Sequence, residues 1–470
     1  MPPMTAIIDA ANTFIWGKAL IYLLLGVGAY FTVRTGFIQF RHLGHLFTVM
    51  RRSLRAEHGG ISSFGAFATG LAGRVGTGNV AGVAIAITLG GPGAVFWMWI
   101  VAMVGMATSF VENTLAQLYK VRETDGTFRG GPAFYMARGL RAHWMGVLFS
   151  IFLILSFGFI FNAVQANSMS DALHTAFGFP RAASGLVIIA LAGLVIFGGV
   201  RRIAHFAEAV VPAMAIAYFV VALAVVIMNA AAIPRVIALV VRSAFGLEQA
   251  AAGGMAYAVS QALMQGVRRG LFSNEAGMGS SPNAAATAEV KHPAAQGFVQ
   301  MLGVFTDTLV VCTCTAAIIL LSGTRELGEG LTGVPLTQAA LSAEVGAWGS
   351  IFVAVILQFF AFTSIVANYY FGETSVRFLT GRPHALPVFR LIVLGVTMFG
   401  AVATLQIVWN AADLSMGFMA LTNLVAILLL SPVAFKVMRD YVDQLGRGVE
   451  PVFDPAKFPE LEGSIECDVW

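Results

Sequence analysis

The chain has 470 residues, 58% of them hydrophobic and 11% charged, with a mean hydropathy of +0.80. Repeated apolar runs of about 18 residues or more exclude an ordinary water-soluble domain and define an all-α polytopic membrane protein. The net charge of +4 matters less than where it falls. Cys312 and Cys314 share one apolar segment and Cys467 lies in the tail, so no disulfide framework is implied. The N-terminus lacks a basic n-region and leads directly into the first span, which predicts insertion without cleavage.

Eleven spans are predicted in chain order, over roughly 12–34, 62–89, 92–119, 145–172, 184–200, 204–229, 255–290, 297–322, 345–372, 388–408 and 411–437. Eleven spans put Arg34, Arg41, Arg51, Arg52, Arg55, Lys120, Arg122, Arg129, Arg138 and Arg141 on one side. Arg201, Arg202, Lys291, Arg377, Arg382, Arg390, Lys436 and Arg439 fall on that side too. The other side receives Arg181, Arg235, Arg242 and Arg325, offset by Glu248, Glu326, Glu329 and Glu344. Lys/Arg bias marks the cytoplasm, so the N-terminus is expected outside and the tail inside. Residues 90–93 read as a tight turn, and residues 130–132 as a break inside a basic loop. The weakly apolar stretch 230–254 reads as an external amphipathic connection, and the Pro- and acid-rich tail after Asp440 as extended.

Two spans are interrupted. Residues 70–82 (GLAGRVGTGNVAG) place five glycines and Arg74 in the second span, each Gly weakening a helix by roughly 1 kcal/mol relative to Ala. Residues 269–283 (RGLFSNEAGMGSSPN) interrupt the seventh. Irregular backbone at membrane depth survives only where protein or a wet cavity satisfies it. Each break opens a run of five segments, 61–229 and 255–438, and an odd count inverts the second run. Residues 1–60 then hold an extra span with its basic connection, and 439–470 a cytoplasmic tail. Paired interruptions in two inverted halves are the sequence sign of a secondary transporter site.

The outer half of the second span begins near Thr77 and Asn79, and the inner half of the seventh near Ser281–Pro282, a good N-cap and first-turn pair. Two helix N-termini facing the midplane suit a carboxylate. The opposing C-termini, at residues 70–73 (Gly70, Ala72) and 274–277 (Asn274, Gly277), offer loose carbonyls for a cation or an ammonium group. A zwitterion fits. Small-residue packing explains Gly82 about as well, but it does not require Asn, Thr, Ser and Pro together. The GxGxxxG run at residues 76–82 lies in an apolar span and is not a dinucleotide loop.

GTGNVAG with GGPGAVFWMW, then RRGLFSNEAGMGSSPNAAA with KHPAAQGFVQMLGVFTDT, resemble the alanine-or-glycine:cation symporter family from about residue 61 to 432. The resemblance implies sodium-driven uptake of small neutral amino acids. It also implies a leucine-transporter-type five-plus-five inverted repeat preceded by one extra span. It places substrate against Gly76, Thr77, Gly78 and Asn79, Gln165, and Gly277 with Met278. It sets the adjacent hydroxyls Thr363 and Ser364 beside second-span carbonyls around sodium. Some members carry tryptophan where this chain has Asn368 and a small residue where it has Arg74. Asn368 therefore leaves room or a hydrogen bond for serine or glutamine beside alanine.

Other polar residues stand inside spans. Gly158, Asn162 and Gln165 share one helical face, where Asn162 and Gln165 can meet substrate or a neighbouring helix. Asp307 lies roughly 15 Å into its span by helix rise, where a carboxylate is costly and functional by default. It reads as a sodium ligand, a proton-titrating group or a cap. Arg74 and Glu275 are expected to pair, and Glu112 to be structural. Arg268 and Arg269 run against the charge bias and read as an external vestibule or gate. Phe159, Phe161 and Trp97 are candidate pocket walls, although aromatics in spans are mostly packing.

The expectation is a symporter of the bacterial inner membrane that moves a small amino acid with Na+, or with H+, by alternating access. A channel, or a sensor that binds without transport, is the rival. The chain has no GxxxxGK[ST] loop for ATP and no HExxH, no nucleophile is evident, and no nucleic-acid partner is expected.

Overall fold

Among the described residues, eight helices are long and apolar enough to cross a bilayer. They are Ile8–Arg34, Gly93–Leu118, His143–Phe177, Gly199–Met228, Pro293–Leu321, Trp348–Leu379, Ala385–Val402 and Leu405–Gly446. Ser63–Arg74 and Gly78–Gly90, bent by 47° at the predicted first break, are together long and apolar enough for a further crossing. Arg181–Ile196 is apolar but only 16 residues long, and Met255–Asn274 runs into the second break. The computed structural model describes residues 4–52, 60–124, 126–247, 255–323, 330–466 and 469–470. Arg55, Glu248, Arg325, Glu326, Glu329 and Cys467 lie outside them.

The chain is inside out relative to a water-soluble protein. Leu191, Leu194, Ile216, Ile227, Leu391 and Leu429 are exposed along the helices, the apolar surface of a multi-pass membrane protein. Asn79, Glu112, Asn162, Asp307 and Asn368 are all 0% exposed. The polar residues have been drawn inward, where Asn79, Glu112 and Asp307 bond groups on other helices.

Four wide-turn stretches widen otherwise regular spans among the described residues: Trp16–Leu20, Gly78–Gly82, Ile154–Phe161 and Phe305–Cys312. Such π-turns free backbone carbonyls and often mark functional sites. Here the Asn79 carbonyl accepts from Thr315 (2.6 Å) and the Val80 carbonyl from Thr337 (3.3 Å). Hydroxyls of two other helices thereby hold the first broken helix in place.

At the edges one expectation changes, that of an extended tail. Residues 230–254 contain an amphipathic helix, Ile233–Ala244, and a Cβ at Gly93 would fall 2.4 Å from the Ala244 nitrogen. The tail is not an extended strand of chain. The last helix continues to Gly446, and Phe453, Phe458, Leu461 and Ile465 are buried. The Phe453 N–H donates to the Lys291 carbonyl (2.9 Å), and Glu466 pairs with Arg138 (2.7 Å). Those apolar residues, spaced between prolines, give the tail enough surface to dock.

Candidate binding site at the first broken helix

Ser62 starts the first broken helix by accepting from the Gly65 N–H (2.9 Å), the ordinary N-cap bond. Helical geometry ends after Arg74, Val75 takes an extended conformation (ψ 92°), and the chain resumes as helix from Gly78. Two amides are thereby left without an intrahelical partner. Gly76 donates to Asn79 Oδ1 (2.8 Å) and Thr77 to Gln165 Oε1 (2.9 Å). Gly76 has no room for a side chain: a Cβ would lie 2.4 Å from Ser364 Oγ and 2.9 Å from Gln165 Oε1. Thr77, Asn79 and Gln165 thus meet Ser364 around one point of the break.

The carbonyl end of the break is equally organised. Ser364 Oγ lies 2.8 Å from the Ala72 carbonyl, 3.4 Å from that of Val75 and 3.0 Å from that of Phe360. One hydroxyl proton cannot serve three acceptors, and such an oxygen cluster suits a hard cation. Val75 was not foreseen, because an apolar residue signals nothing about its carbonyl. Gly70 and Thr363 are not part of this cluster. Gly70 packs on Gln300, whose Oε1 would lie 2.7 Å from a Cβ there. Thr363 donates back to Phe360 O (2.9 Å) and faces Met214 Sδ at 4.0 Å.

Asp307 stands beside the break rather than in a separate site. It accepts from Asn79 Nδ2 (2.6 Å), Ser273 Oγ (2.6 Å) and Thr308 Oγ1 (2.7 Å). Asn79 and Ser273 also meet each other at 3.1 Å, and Cys312 Sγ lies 3.0 Å from Ser273 Oγ. Asp307 therefore joins the first broken helix to the helix that precedes the second break. The partners are side chains, not the backbone amides a cap would bind. Ser273 was not singled out from the sequence.

The second break is built differently from the expectation. Glu275, Gly277 and Gly279 have φ of +58°, +84° and +86°, a left-handed backbone that glycine adopts without penalty and glutamate does not. The helix beyond is only Ser281–Ala285, its N-cap is Ser280 rather than Ser281, and Ser280 makes no cap bond. Ser280 instead donates to Glu275 Oε2 (2.5 Å). Five residues cannot supply the dipole expected at this end. The Gly277 N–H donates to Glu112 Oε1 (3.1 Å), while Asn423 donates to Glu112 Oε2 (2.9 Å) and to the Gly277 carbonyl (3.0 Å). Asn274 Oδ1 accepts from Ala276 N–H (3.0 Å), and Met278 is fully buried. Gly277 and Asn274 are thus engaged within the second break, where Met278 is buried, and Glu112 organises it.

The expected charge pair is not formed. Arg74 donates to Gln300 O (3.1 Å), Gln300 Oε1 (3.3 Å) and Ser109 Oγ (3.4 Å). It occupies space left by Gly303, where a Cβ would fall 2.1 Å from Nη1, and it makes no salt bridge with Glu275 among the described residues. Arg269 pairs instead with Asp413 at 2.5 Å and lies 4.7 Å over the Trp409 ring. Arg268 is 3.8 Å from the same carboxylate and 5.3 Å over Trp16. Both arginines face helices, not an open vestibule, which reconciles them with the apolar span.

A second pocket wall follows from helix register. Gly158 and Gly372 touch, a Cβ on Gly372 coming 3.3 Å from Gly158 Cα, while Gln165 and Ser364 meet at Gly76. Asn162 and Asn368 lie between those two levels, on the same helical stripes. Asn162 Nδ2 bonds its own Gly158 carbonyl (3.0 Å). Asn162 Oδ1, both amide atoms of Asn368 and Thr77 Oγ1 are buried without a hydrogen-bond partner, an arrangement that calls for an explanation. Phe161 stacks on Phe272 (4.5 Å), and Phe272 lies 4.6 Å from Trp409, closing the apolar side against Gly78. Phe159 instead meets Phe389, and Trp97 bonds Ala244.

Many apolar crossings, a helix broken inside the protein and polar groups gathered at the break define a membrane transporter, not an enzyme. The chain matches the sodium:alanine symporter family over residues 1–455, and it belongs to that family. It is 52% identical to the probable sodium/glutamine symporter GlnT of Bacillus subtilis, covering 98% of this chain and 95% of that one. It is 49% identical to the amino-acid carrier protein AlsT of Bacillus subtilis, over 98% and 97%. A variant of the Eremococcus coleocola manganese transporter shares the fold at a TM-score of 0.50 and 15% identity, over 85% of this chain and 84% of that one.

Proposed function

We propose that this protein is a secondary symporter of a bacterial inner membrane, taking up a small neutral amino acid with sodium by alternating access. The observation that carries the reading is the first break, which sets two cappable amides beside three clustered carbonyls and a serine hydroxyl. The substrate carboxylate would take the Gly76 and Thr77 amides from Asn79 and Gln165. Sodium would sit among Ala72 O, Val75 O and Ser364 Oγ, its charge offset by the nearby carboxylate of Asp307. The orphaned Asn162 Oδ1 and both amide atoms of Asn368 would receive a polar substrate side chain, so glutamine or serine fits beside alanine and glycine. The relative named as a glutamine symporter supports that breadth.

The charge bias supports an external N-terminus, and the two breaks support eleven spans arranged as one helix plus two inverted fives. Proton coupling is the second reading, favoured by the buried carboxylate of Asp307. Competition for uptake by alanine, glycine, serine and glutamine tests the substrate class. Asn368→Leu should weaken glutamine about tenfold or more, the cost of an unmatched buried polar group, and leave alanine nearly unchanged. Equal losses for both substrates would contradict the assignment of Asn368 to the side-chain pocket.

A further inference from the structure

On the basic side of the molecule, away from the broken helices, a cavity of about 450 Å³ is lined by Arg129, Arg377 and Arg382, with Glu123 the one acidic side chain in its wall among the described residues. Phe134, Phe378 and Leu386 line it on the apolar side. Arg129 is buried, 3.4 Å from Glu123 through Nε, yet that Nε makes no hydrogen bond. Arg377 pairs with Glu373 at 2.9 Å. The exposed Arg382 side chain makes no ion pair among the described residues.

The depth of this cavity is fixed by its neighbours. His143 lies 5.3 Å from the Phe378 ring, and the next residue, Trp144, is 69% exposed at the start of a crossing helix. Exposed tryptophans at helix ends sit at the headgroup level of a bilayer. Just beyond Leu386, exposed Val388 and Leu391 face the lipid. Three guanidinium groups over an apolar rim at that level match one chemistry. Their forks suit phosphate oxygens, and the rim suits the first carbons of an acyl chain.

We propose that this cavity binds the phosphate headgroup of an anionic phospholipid, as basic pockets between spans do. The shared chemistry with free phosphate is the phosphate itself; the apolar rim and the interfacial depth assign it to lipid. Occupancy has a route to the transport helix. Arg377 is held by Glu373, which also accepts from the Tyr369 hydroxyl and lies 3.9 Å from Arg390. Glu373 lies on Trp348–Leu379, the helix that carries Ser364 and Asn368.

The test is lipid retention by the intact chain, taken from bilayers of phosphatidylcholine mixed with phosphatidylglycerol and weighed by native mass spectrometry. Retained phosphatidylglycerol should fall about fivefold for each arginine removed, in Arg382→Gln and again in Arg377→Gln/Arg382→Gln. Arg382 is exposed and unpaired, so the single variant keeps the fold. Arg439→Gln, an exposed arginine on the same side but outside the cavity, should retain lipid as the parent does. Equal retention in parent and cavity variants, or an equal loss in Arg439→Gln, overturns the proposal. Displacement of the lipid by millimolar inorganic phosphate would assign the site to free phosphate and overturn it as well.

Discussion

Asn79 donates its side-chain amide to Asp307 across 2.6 Å, joining residues 228 positions apart. All three partners of Asp307 are donors, which is what an ionised carboxylate needs inside a membrane protein. Asp307→Asn keeps the shape, since the two hydroxyls can turn to accept. The variant should fold, retain its melting temperature within a few degrees and lose at least about tenfold in sodium-driven uptake. Asp307→Ala should also destabilise, by about 1–3 kcal/mol, because it strands the Asn79 amide. Thermal unfolding and uptake measured on the same preparations separate the two effects.

Ser364 offers a narrower test. Removing its hydroxyl in Ser364→Ala should raise the sodium concentration for half-maximal uptake about tenfold or more, a typical value for losing one contact to a charged group. Ser364→Thr should restore most of it, whereas Thr363→Ala should leave the sodium dependence nearly unchanged because Thr363 bonds its own helix. A larger effect at Thr363 than at Ser364 would mean that the cation lies elsewhere.

The Arg269–Asp413 pair is 3% and 4% exposed on its two side chains. Breaking a buried pair from one side leaves an uncompensated charge and costs about 3–5 kcal/mol. Arg269→Met and Asp413→Leu should each lower the melting temperature sharply, while the double variant recovers most of the loss. Arg268, 3.8 Å from Asp413 in the parent, loses that carboxylate in the double variant and makes the recovery incomplete. Melting curves of the four proteins in detergent check this.

His292 makes the fold sensitive to acid. Its Nδ1 accepts from the Ala294 N–H (3.2 Å) and its Nε2 faces Asp440 (3.3 Å), so the neutral ring caps the helix beginning at Pro293. Burial holds its pKa down to about 4, from 6.5. Between those values the unfolded chain takes up a proton that the folded one refuses. Stability is therefore full above pH 6.5 and falls as pH drops toward 4, by up to about 3 kcal/mol. His292→Asn, a good N-cap, should flatten that dependence in a series of melts across the same range.

Hydropathy alone located the eight long apolar helices, because lipid contact imposes apolar length regardless of partner. The first break was legible for a similar reason: Gly, Thr and Asn cannot continue a membrane helix unaided. What sequence could not show was which polar groups meet. Asp413 lies 144 residues from Arg269, and nothing local to either announces the other. Val75 contributes through its backbone alone. Arg74 fills the space beside Gly303 on another helix and bonds Gln300 there, a contact that exists only after packing. The tail was read from prolines and acids, which hid the cumulative burial of Phe453, Phe458, Leu461 and Ile465.

The central claim is that the first break couples an amino acid to sodium. It is tested most directly by placing the purified chain in liposomes and following labelled glutamine and alanine under an inward sodium gradient, an inward proton gradient, or neither. The account predicts accumulation driven by sodium, abolished when the gradient is collapsed and strongly reduced in Ser364→Ala. Accumulation driven equally well by protons without sodium, or no accumulation of either amino acid under a sodium gradient, would contradict it.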